Sequence, residues 1–143
     1  MRAIVGFGNE LRGEDAFGVD VVNLLQKLSL KDTKLITLFQ LTPELCMDLL
    51  DADEVVFIDA AFCEDNQYAL ACSIQNQTSL TLSHHISINT IKEMLNILYN
   101  HYPKIEVFSM LTCSFDEIKN RDLYECRLNE IVKFISTKNS IYK

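Results

Sequence analysis

The first twenty residues constrain the fold of this chain more than any other stretch. A short apolar run at residues 3–7 leads into Gly8 and then into Gly13-Glu14-Asp15, which opens an amphipathic segment. An apolar run followed by glycines and a helical pattern predicts a first strand, a tight turn and a first helix. This is the usual beginning of an open α/β sheet. The turn carries two carboxylates where a dinucleotide-binding turn carries a third glycine.

Length, charge and cysteine content limit the class of protein. The 143 residues suit one domain, residues 1–143, with a single sizeable core. The net charge is −7 and the basic residues are dispersed, which argues against a nucleic-acid surface. No apolar run approaches the roughly 20 residues of a membrane span, and the apolar start is too short for a signal peptide. The five cysteines form no Cys-x-x-Cys pair, so we expect a reducing compartment, most simply the cytoplasm.

The remaining apolar patterns predict four more strands and three more helices. Strands are expected at residues 34–41, 54–58, 68–74 and 105–111, and helices from Thr42-Pro43 to about residue 50, over 88–99 and around 124–135. The nearly continuous apolar run of the third strand is typical of a central strand covered on both faces. The loop before the fourth strand is too short for a helical crossover, so we expect that strand to be an antiparallel edge strand. The order predicts an α/β fold, a three-layer α/β/α sandwich with a mostly parallel five-stranded sheet.

Carboxylates follow two of the predicted strands, at the edge where the ligand sites of open parallel sheets collect. Glu14 and Asp15 come after the first strand, and Asp59 closes the third. The polar segment before His84 and His85 is long enough, at about 3.3 Å per extended residue, to recross the sheet. The two histidines can therefore reach the same edge. Two carboxylates and an imidazole would form an open site for a divalent ion such as nickel, zinc or iron.

Each of these residues also has a purely structural interpretation. Acids at the start of a helix, such as Glu14 and Asp15, can cap free backbone N–H groups and complement the helix dipole. An aspartate at the end of a strand can be solvated, and a histidine in a loop can be a polar surface residue. The Gly6-x-Gly8 pair is half of a dinucleotide fingerprint, but the acids that follow would place negative charge beside a pyrophosphate. A nucleotide-binding α/β protein is therefore the weaker alternative.

Five segments, in order, resemble those of the hydrogenase maturation endopeptidases, which trim the C-terminal extension of the large subunit of [NiFe] hydrogenases. They are Gly-Phe-Gly-Asn-Glu-Leu-Arg-Gly-Glu-Asp-Ala-Phe-Gly-Val at 6–19, Gln-Leu-Thr-Pro-Glu-Leu at 40–45, Phe-Ile-Asp-Ala at 57–60, Ser-His-His-Ile-Ser at 83–87 and Leu-Tyr-x-x-x-Pro at 98–103. The resemblance runs from residue 1 to about residue 123. The chain departs from the better-studied members at Thr42-Pro43-Glu44, where they have a glycine-rich turn.

The resemblance implies a phosphorylase/hydrolase-like fold and a nickel-gated endopeptidase. Residue by residue, it gives Asp15, Asp59 and His84 as metal ligands, with Glu14 as the alternative to Asp15 and His85 as the alternative to His84. The nickel belongs to the substrate, a [NiFe] hydrogenase large-subunit precursor, and other divalent ions can occupy such a site. The resemblance assigns no catalytic base, nucleophile or further cofactor to a residue of this chain. A non-catalytic nickel-sensing or assembly factor that uses the same pocket is the alternative function.

Overall fold

Five β-strands form one sheet in the computed structural model of the chain. The structure describes residues 1–9, 11, 13–62, 70–74, 87–112, 118 and 120–141. The strands are β1 (Arg2–Phe7), β2 (Thr33–Leu38), β3 (Glu54–Phe62), β4 (Leu70–Ile74) and β5 (Lys104–Thr112). Their order in the sheet is β2-β1-β3-β5-β4, in which β2, β1, β3 and β5 are mutually parallel. At the edge, β4 pairs with β5 in the antiparallel direction.

Helices cover both faces of the sheet, as the sequence predicts for an α/β fold. They are α1 (Phe17–Gln26), α2 (Leu45–Asp48), α3 (Ile88–Tyr99) and α4 (Arg121–Ile141), and a 3₁₀ helix (Gly13–Ala16) precedes α1. One apolar core lies between the sheet and helices α1 and α4, and a second lies between the sheet and helices α2 and α3. Within the described ranges, none of the helices combines the length and the hydrophobicity that a membrane span needs.

Side-chain alternation along the strands assigns each residue to one of the two cores. In β3, Val56 and Ile58 pack in the α1/α4 core, whereas Val55 and Phe57 pack in the α2/α3 core. This explains why the run at 54–58 is continuously apolar, since both faces of the strand are buried. By the same alternation, Asp59 lies on the α2/α3 face of the sheet.

Helix α1 approaches the sheet closely because two glycines leave room for it. A Cβ atom on Gly6 of β1 would lie 2.1 Å from the carbonyl oxygen of Gly18 in α1. A Cβ atom on Gly18 would in turn lie 2.1 Å from the carbonyl oxygen of Ile58 in β3. Side chains at these positions would push the helix off the two central strands. The start of α1 is therefore held next to the residue that precedes Asp59.

Several boundaries differ from those predicted, and one of the differences affects the site. Strand β3 continues to Phe62 because its pairing with β5 continues to the pair Phe62↔Thr112. Asp59 therefore lies within the strand and not after it. Strand β2 ends at Leu38, and helix α2 begins only at Leu45, without a side-chain cap from its N-cap residue Glu44.

Candidate active site

Asp59 is held by a hydroxyl group on the neighbouring strand. The register of the parallel strands β3 and β5 places Asp59 beside Ser109. Both residues therefore project to the same face of the sheet, and the Ser109 hydroxyl donates a hydrogen bond of 2.5 Å to Oδ1 of Asp59. Ser109 is buried, whereas Asp59 is partly exposed at the carboxyl half of its strand. The carboxylate is thus fixed from within the sheet, on a residue that keeps partial exposure.

Asp15 is held by the turn that follows β1. Its Oδ2 atom accepts a 3.0 Å hydrogen bond from the backbone N–H of Asn9. Gly8 adopts φ +146°, and a Cβ atom there would lie 2.1 Å from the carbonyl oxygen of Asp15, so the turn requires glycine. The N–H of Gly8 also donates to the carbonyl oxygen of Leu38, which ties the turn to the end of β2. The sequence feature Gly-x-Gly-Asn thereby sets the position of Asp15.

The two carboxylates are close enough to affect each other. Burial raises the pKa of Asp59 to about 7, the hydrogen bond from Ser109 opposes that rise, and the negative charge of Asp15 adds to it. Among the described residues, Oδ1 of Asp15 and Oδ2 of Asp59 have no hydrogen-bond partner. Each carboxylate therefore uses one oxygen for its own positioning and leaves the other available. Such a pair favours a cation, which would offset the like charges.

Glu14 occupies a different environment from its neighbour Asp15. Its side chain is fully buried, and the hydroxyl of Thr112 at the end of β5 donates a hydrogen bond to Oε1 of Glu14. The capping interpretation is not supported for α1, because its N-cap residue is Ala16 and makes no side-chain cap. Asp15 bonds to the preceding turn. Of the two acids, Asp15 is the one with an available oxygen next to Asp59.

The predicted histidine ligands, His84 and His85, lie outside the described residues. Within the described ranges, no group of three or more His, Cys, Asp or Glu side chains is placed to hold a metal ion. Asp15 and Asp59 would therefore need a further ligand, from elsewhere in the chain or from a bound substrate, to complete a site. Their donor chemistry fits this role, because a carboxylate pair suits hard and borderline divalent cations and accepts an added imidazole or thiolate.

Two exposed apolar side chains lie at the same edge of the sheet as the carboxylates. Leu11 follows β1 and is 89% exposed, and Phe39 follows β2 and is 64% exposed. The strands β1 and β2 are parallel neighbours, so the loops that follow them emerge side by side. Exposed side chains of this size beside a polar site are suited to contact a peptide.

Sequence reasoning missed the hydroxyl groups that hold the acids. Ser109 interrupts the apolar run Val-Phe-Ser-Met-Leu at 107–111, and Thr112 directly follows that run. A single hydroxyl inside a buried strand needs a hydrogen-bond partner, which was an available signal. The identity of the partner was not readable, because Asp59 is 50 residues away and Glu14 is 98 residues away in sequence.

Several solved structures with the same architecture are hydrogenase maturation proteases. A [NiFe] hydrogenase maturation protease, HycI, from Thermococcus kodakarensis KOD1 is 20% identical, with a TM-score of 0.76 over 95% of this chain and 90% of that chain. The hydrogenase maturating endopeptidase HybD from E. coli is 18% identical, with a TM-score of 0.74 over 94% and 88% of the two chains. A hydrogenase 2 maturation peptidase from Thaumarchaeota archaeon SCGC_AB-539-E09 is 22% identical, with a TM-score of 0.67 over 94% of each chain.

By sequence, neither a protein-family model nor a curated protein matches the chain. The similarity to the three solved structures extends over nearly the whole of each chain. At identities of 18–22%, what it establishes is the architecture. The chain has the fold of the hydrogenase maturation proteases.

Proposed function

We propose that this protein is an endopeptidase that removes the C-terminal extension of a [NiFe] hydrogenase large-subunit precursor, and that nickel in the precursor gates the cleavage. The observation that carries the proposal is the carboxylate pair Asp15 and Asp59, each with one oxygen held and one available. The shared fold with proteases of this kind supports the proposal. A site of two acids cannot complete a metal coordination sphere alone, which suits a metal that arrives with its own ligands.

In the proposed reaction, this chain recognises and orients the precursor. Oδ1 of Asp15 and Oδ2 of Asp59 would bind the nickel of the substrate together with the imidazole of His84, or of His85 as the alternative. A divalent ion at this position can polarise a carbonyl group or a water molecule. A precursor without nickel would meet two carboxylates with like charges and bind poorly. Selection for loaded precursor then follows from electrostatics.

Exposed apolar residues provide a second contact for the precursor. Leu11 follows β1 and Phe39 follows β2, and both lie on the edge of the sheet that carries Asp15. We propose that they contact apolar side chains of the peptide near the cleaved bond. Burial of one large side chain contributes about 1.5–3 kcal/mol, which is enough to help place a flexible C-terminal segment.

Incubation of the purified protein with nickel-loaded precursor tests this function. We expect mass spectrometry to show loss of the C-terminal peptide, and we expect Asp15→Asn and Asp59→Asn to abolish that loss. The matched control is Asp51→Asn, because Asp51 is exposed in the turn before β3, at the opposite edge of the sheet. An intact precursor after incubation with wild-type protein would contradict the proposal.

Two alternatives have distinct outcomes in the same assay. A non-catalytic nickel-sensing or assembly factor would bind the loaded precursor through Asp15 and Asp59 and leave its C-terminus intact. A nucleotide-binding protein would show saturable binding of NAD or ATP. Against nucleotide binding, Gly6 and Gly8 make close contacts with the backbone of Gly18 and Asp15.

We also propose that the protein works in the cytoplasm, in keeping with the free thiols of Cys46 and Cys126.

A further inference from the structure

The Ser109 hydroxyl is the feature of the site that the proposed function leaves unexplained. Ser109 is 1% exposed, on a strand whose other inward-facing residues are almost all apolar. A buried hydroxyl group is unfavourable unless it forms a hydrogen bond, and this one donates to Oδ1 of Asp59 at 2.5 Å. An alanine would fill the same space without that requirement. The serine therefore serves the carboxylate and not the packing.

The sheet gives Ser109 a fixed position from which to act. The pairs on either side, Ile58↔Phe108 and Ala60↔Met110, are part of the same ladder. Phe108 and Met110 are anchored in the α1/α4 core, so β5 cannot shift at Ser109 without disturbing buried packing. A donor on a rigid strand can hold a neighbouring side chain in one rotamer.

The Asp59 side chain has no other hydrogen bond that would fix it among the described residues. An aspartate has several staggered χ1 rotamers, and its terminal torsion is broad. Without the bond from Ser109, the carboxylate would be free to turn either oxygen outward. A cation that binds to it would then have to order the side chain, which costs free energy.

We propose that Ser109 is a positioning residue that fixes the Asp59 carboxylate so that Oδ2 faces a divalent cation. The inference rests on the proposed function, since it takes Asp59 as a ligand of the precursor's metal. Hydrogen-bond partners of metal ligands commonly orient them in this way, and their loss weakens metal binding by about 10–100-fold. Ser109 does not touch the cation itself and acts through Asp59.

Nickel binding by the full chain, without precursor, tests the proposal. We expect Ser109→Ala to weaken Ni²⁺ binding in isothermal titration by about tenfold, and Ser109→Thr, which keeps the hydroxyl, to bind as the wild type does. Thr112→Val is the matched control, because Thr112 is a buried residue of the same strand whose hydroxyl serves Glu14. It should lower thermal stability and leave Ni²⁺ affinity unchanged.

Crystal structures of the wild type and Ser109→Ala provide a readout that is independent of metal and activity. We expect one orientation of the Asp59 carboxylate in the wild type and a rotated or divided one in the variant. A single unchanged orientation in Ser109→Ala, or equal losses of Ni²⁺ affinity in Ser109→Ala and Thr112→Val, would overturn the proposal. If wild-type protein without precursor binds no Ni²⁺, the orientation of Asp59 decides the role of Ser109, and the precursor-cleavage assay tests the metal gating separately. If Ser109→Thr does not fold, the crystal structures of the wild type and Ser109→Ala decide the role of Ser109.

Discussion

Glu14 and Thr112 are joined by a hydrogen bond between the 3₁₀ helix and the end of β5, across 98 residues of sequence. Thr112 lies on the same side of the sheet as Phe108 and Met110, by alternation along β5, so the Glu14 side chain belongs to the α1/α4 side. Asp15, the next residue, bonds instead to the turn after β1. Successive residues of a 3₁₀ helix project about 120° apart, which separates the two acids. One acid thus connects elements of the fold, and the other faces the site.

The hydrogen bond to Glu14 should contribute to stability and not to metal binding. Thr112→Val keeps the size of the side chain and removes a hydroxyl that donates to a buried carboxylate. We expect the free energy of unfolding to fall by about 1–3 kcal/mol in urea denaturation. Thr37→Val is the control, because Thr37 is an exposed residue of β2 and should lose nothing. Equal stability of the two variants would show that the bond makes no net contribution.

Gly8 should be required for the position of Asp15. In Gly8→Ala, a Cβ atom would lie 2.1 Å from the Asp15 carbonyl oxygen at a φ of +146°. We expect a loss of unfolding free energy of about 1–3 kcal/mol from backbone strain, together with a loss of precursor cleavage. Asn9→Ala is the matched control, because it keeps the backbone N–H that donates to Asp15 and removes the hydrogen bond that Oδ1 of Asn9 accepts from the backbone N–H of Leu11. Full cleavage by Gly8→Ala would contradict this role.

Local patterns in the sequence were sufficient for the layered fold. The apolar runs, the helical stripes and the glycine turn each depend on neighbouring residues, and they predicted the order and type of the strands and helices, although α4 continues to Ile141, beyond the predicted end near residue 135. The end of β3 was the informative error. The run at 54–58 ends at a polar residue, yet the strand continues to Phe62 because β5 continues beside it. Strand ends that depend on a partner 50 residues away are not readable locally.

The candidate site could be predicted only in part, because its side-chain contacts also depend on residues that are distant in sequence. Asp15 and Asp59 could be chosen because each follows an apolar strand segment, and the parallel sheet brings them to one edge. Their different surroundings could not be predicted, since the bond from Ser109 and the burial of Glu14 arise from tertiary contacts. The assignment of the histidine rests on the sequence resemblance and stays a prediction.

The two adjacent histidines can be separated by substitution. We expect His84→Ala to abolish cleavage of nickel-loaded precursor and His85→Ala to retain it, because the resemblance gives His84 as the ligand. The matched control is His101→Gln, since Nε2 of His101 lies 2.8 Å from the carbonyl oxygen of Ala52, before β3, at the opposite edge of the sheet. Cleavage by mass spectrometry is the measurement. The reverse result would make His85 the third ligand.

Asp59 should make the metal-free protein less stable as the pH rises. Burial, with the charge of Asp15 in addition, raises the pKa of Asp59 from 3.8 to about 7 in the folded state. The folded state therefore binds this proton more tightly than the unfolded state does. The resulting stability is fully present below about pH 4 and is lost as the pH rises through 7. At about 1.4 kcal/mol per pKa unit, the loss is at most about 4 kcal/mol.

Asp59→Asn removes that dependence, because the amide keeps the shape of the side chain and carries no charge. We expect its free energy of unfolding, relative to wild type, to increase between pH 5 and pH 8 in urea denaturation. Carboxylates remote from the site contribute equally to both proteins, so the difference reports on Asp59 together with its interaction with Asp15. Added Ni²⁺ should make the wild type the more stable of the two proteins at pH 8. A bound cation stabilises the charged carboxylate of the wild type more than the neutral amide of the variant. Parallel stability curves for wild type and Asp59→Asn would contradict the raised pKa.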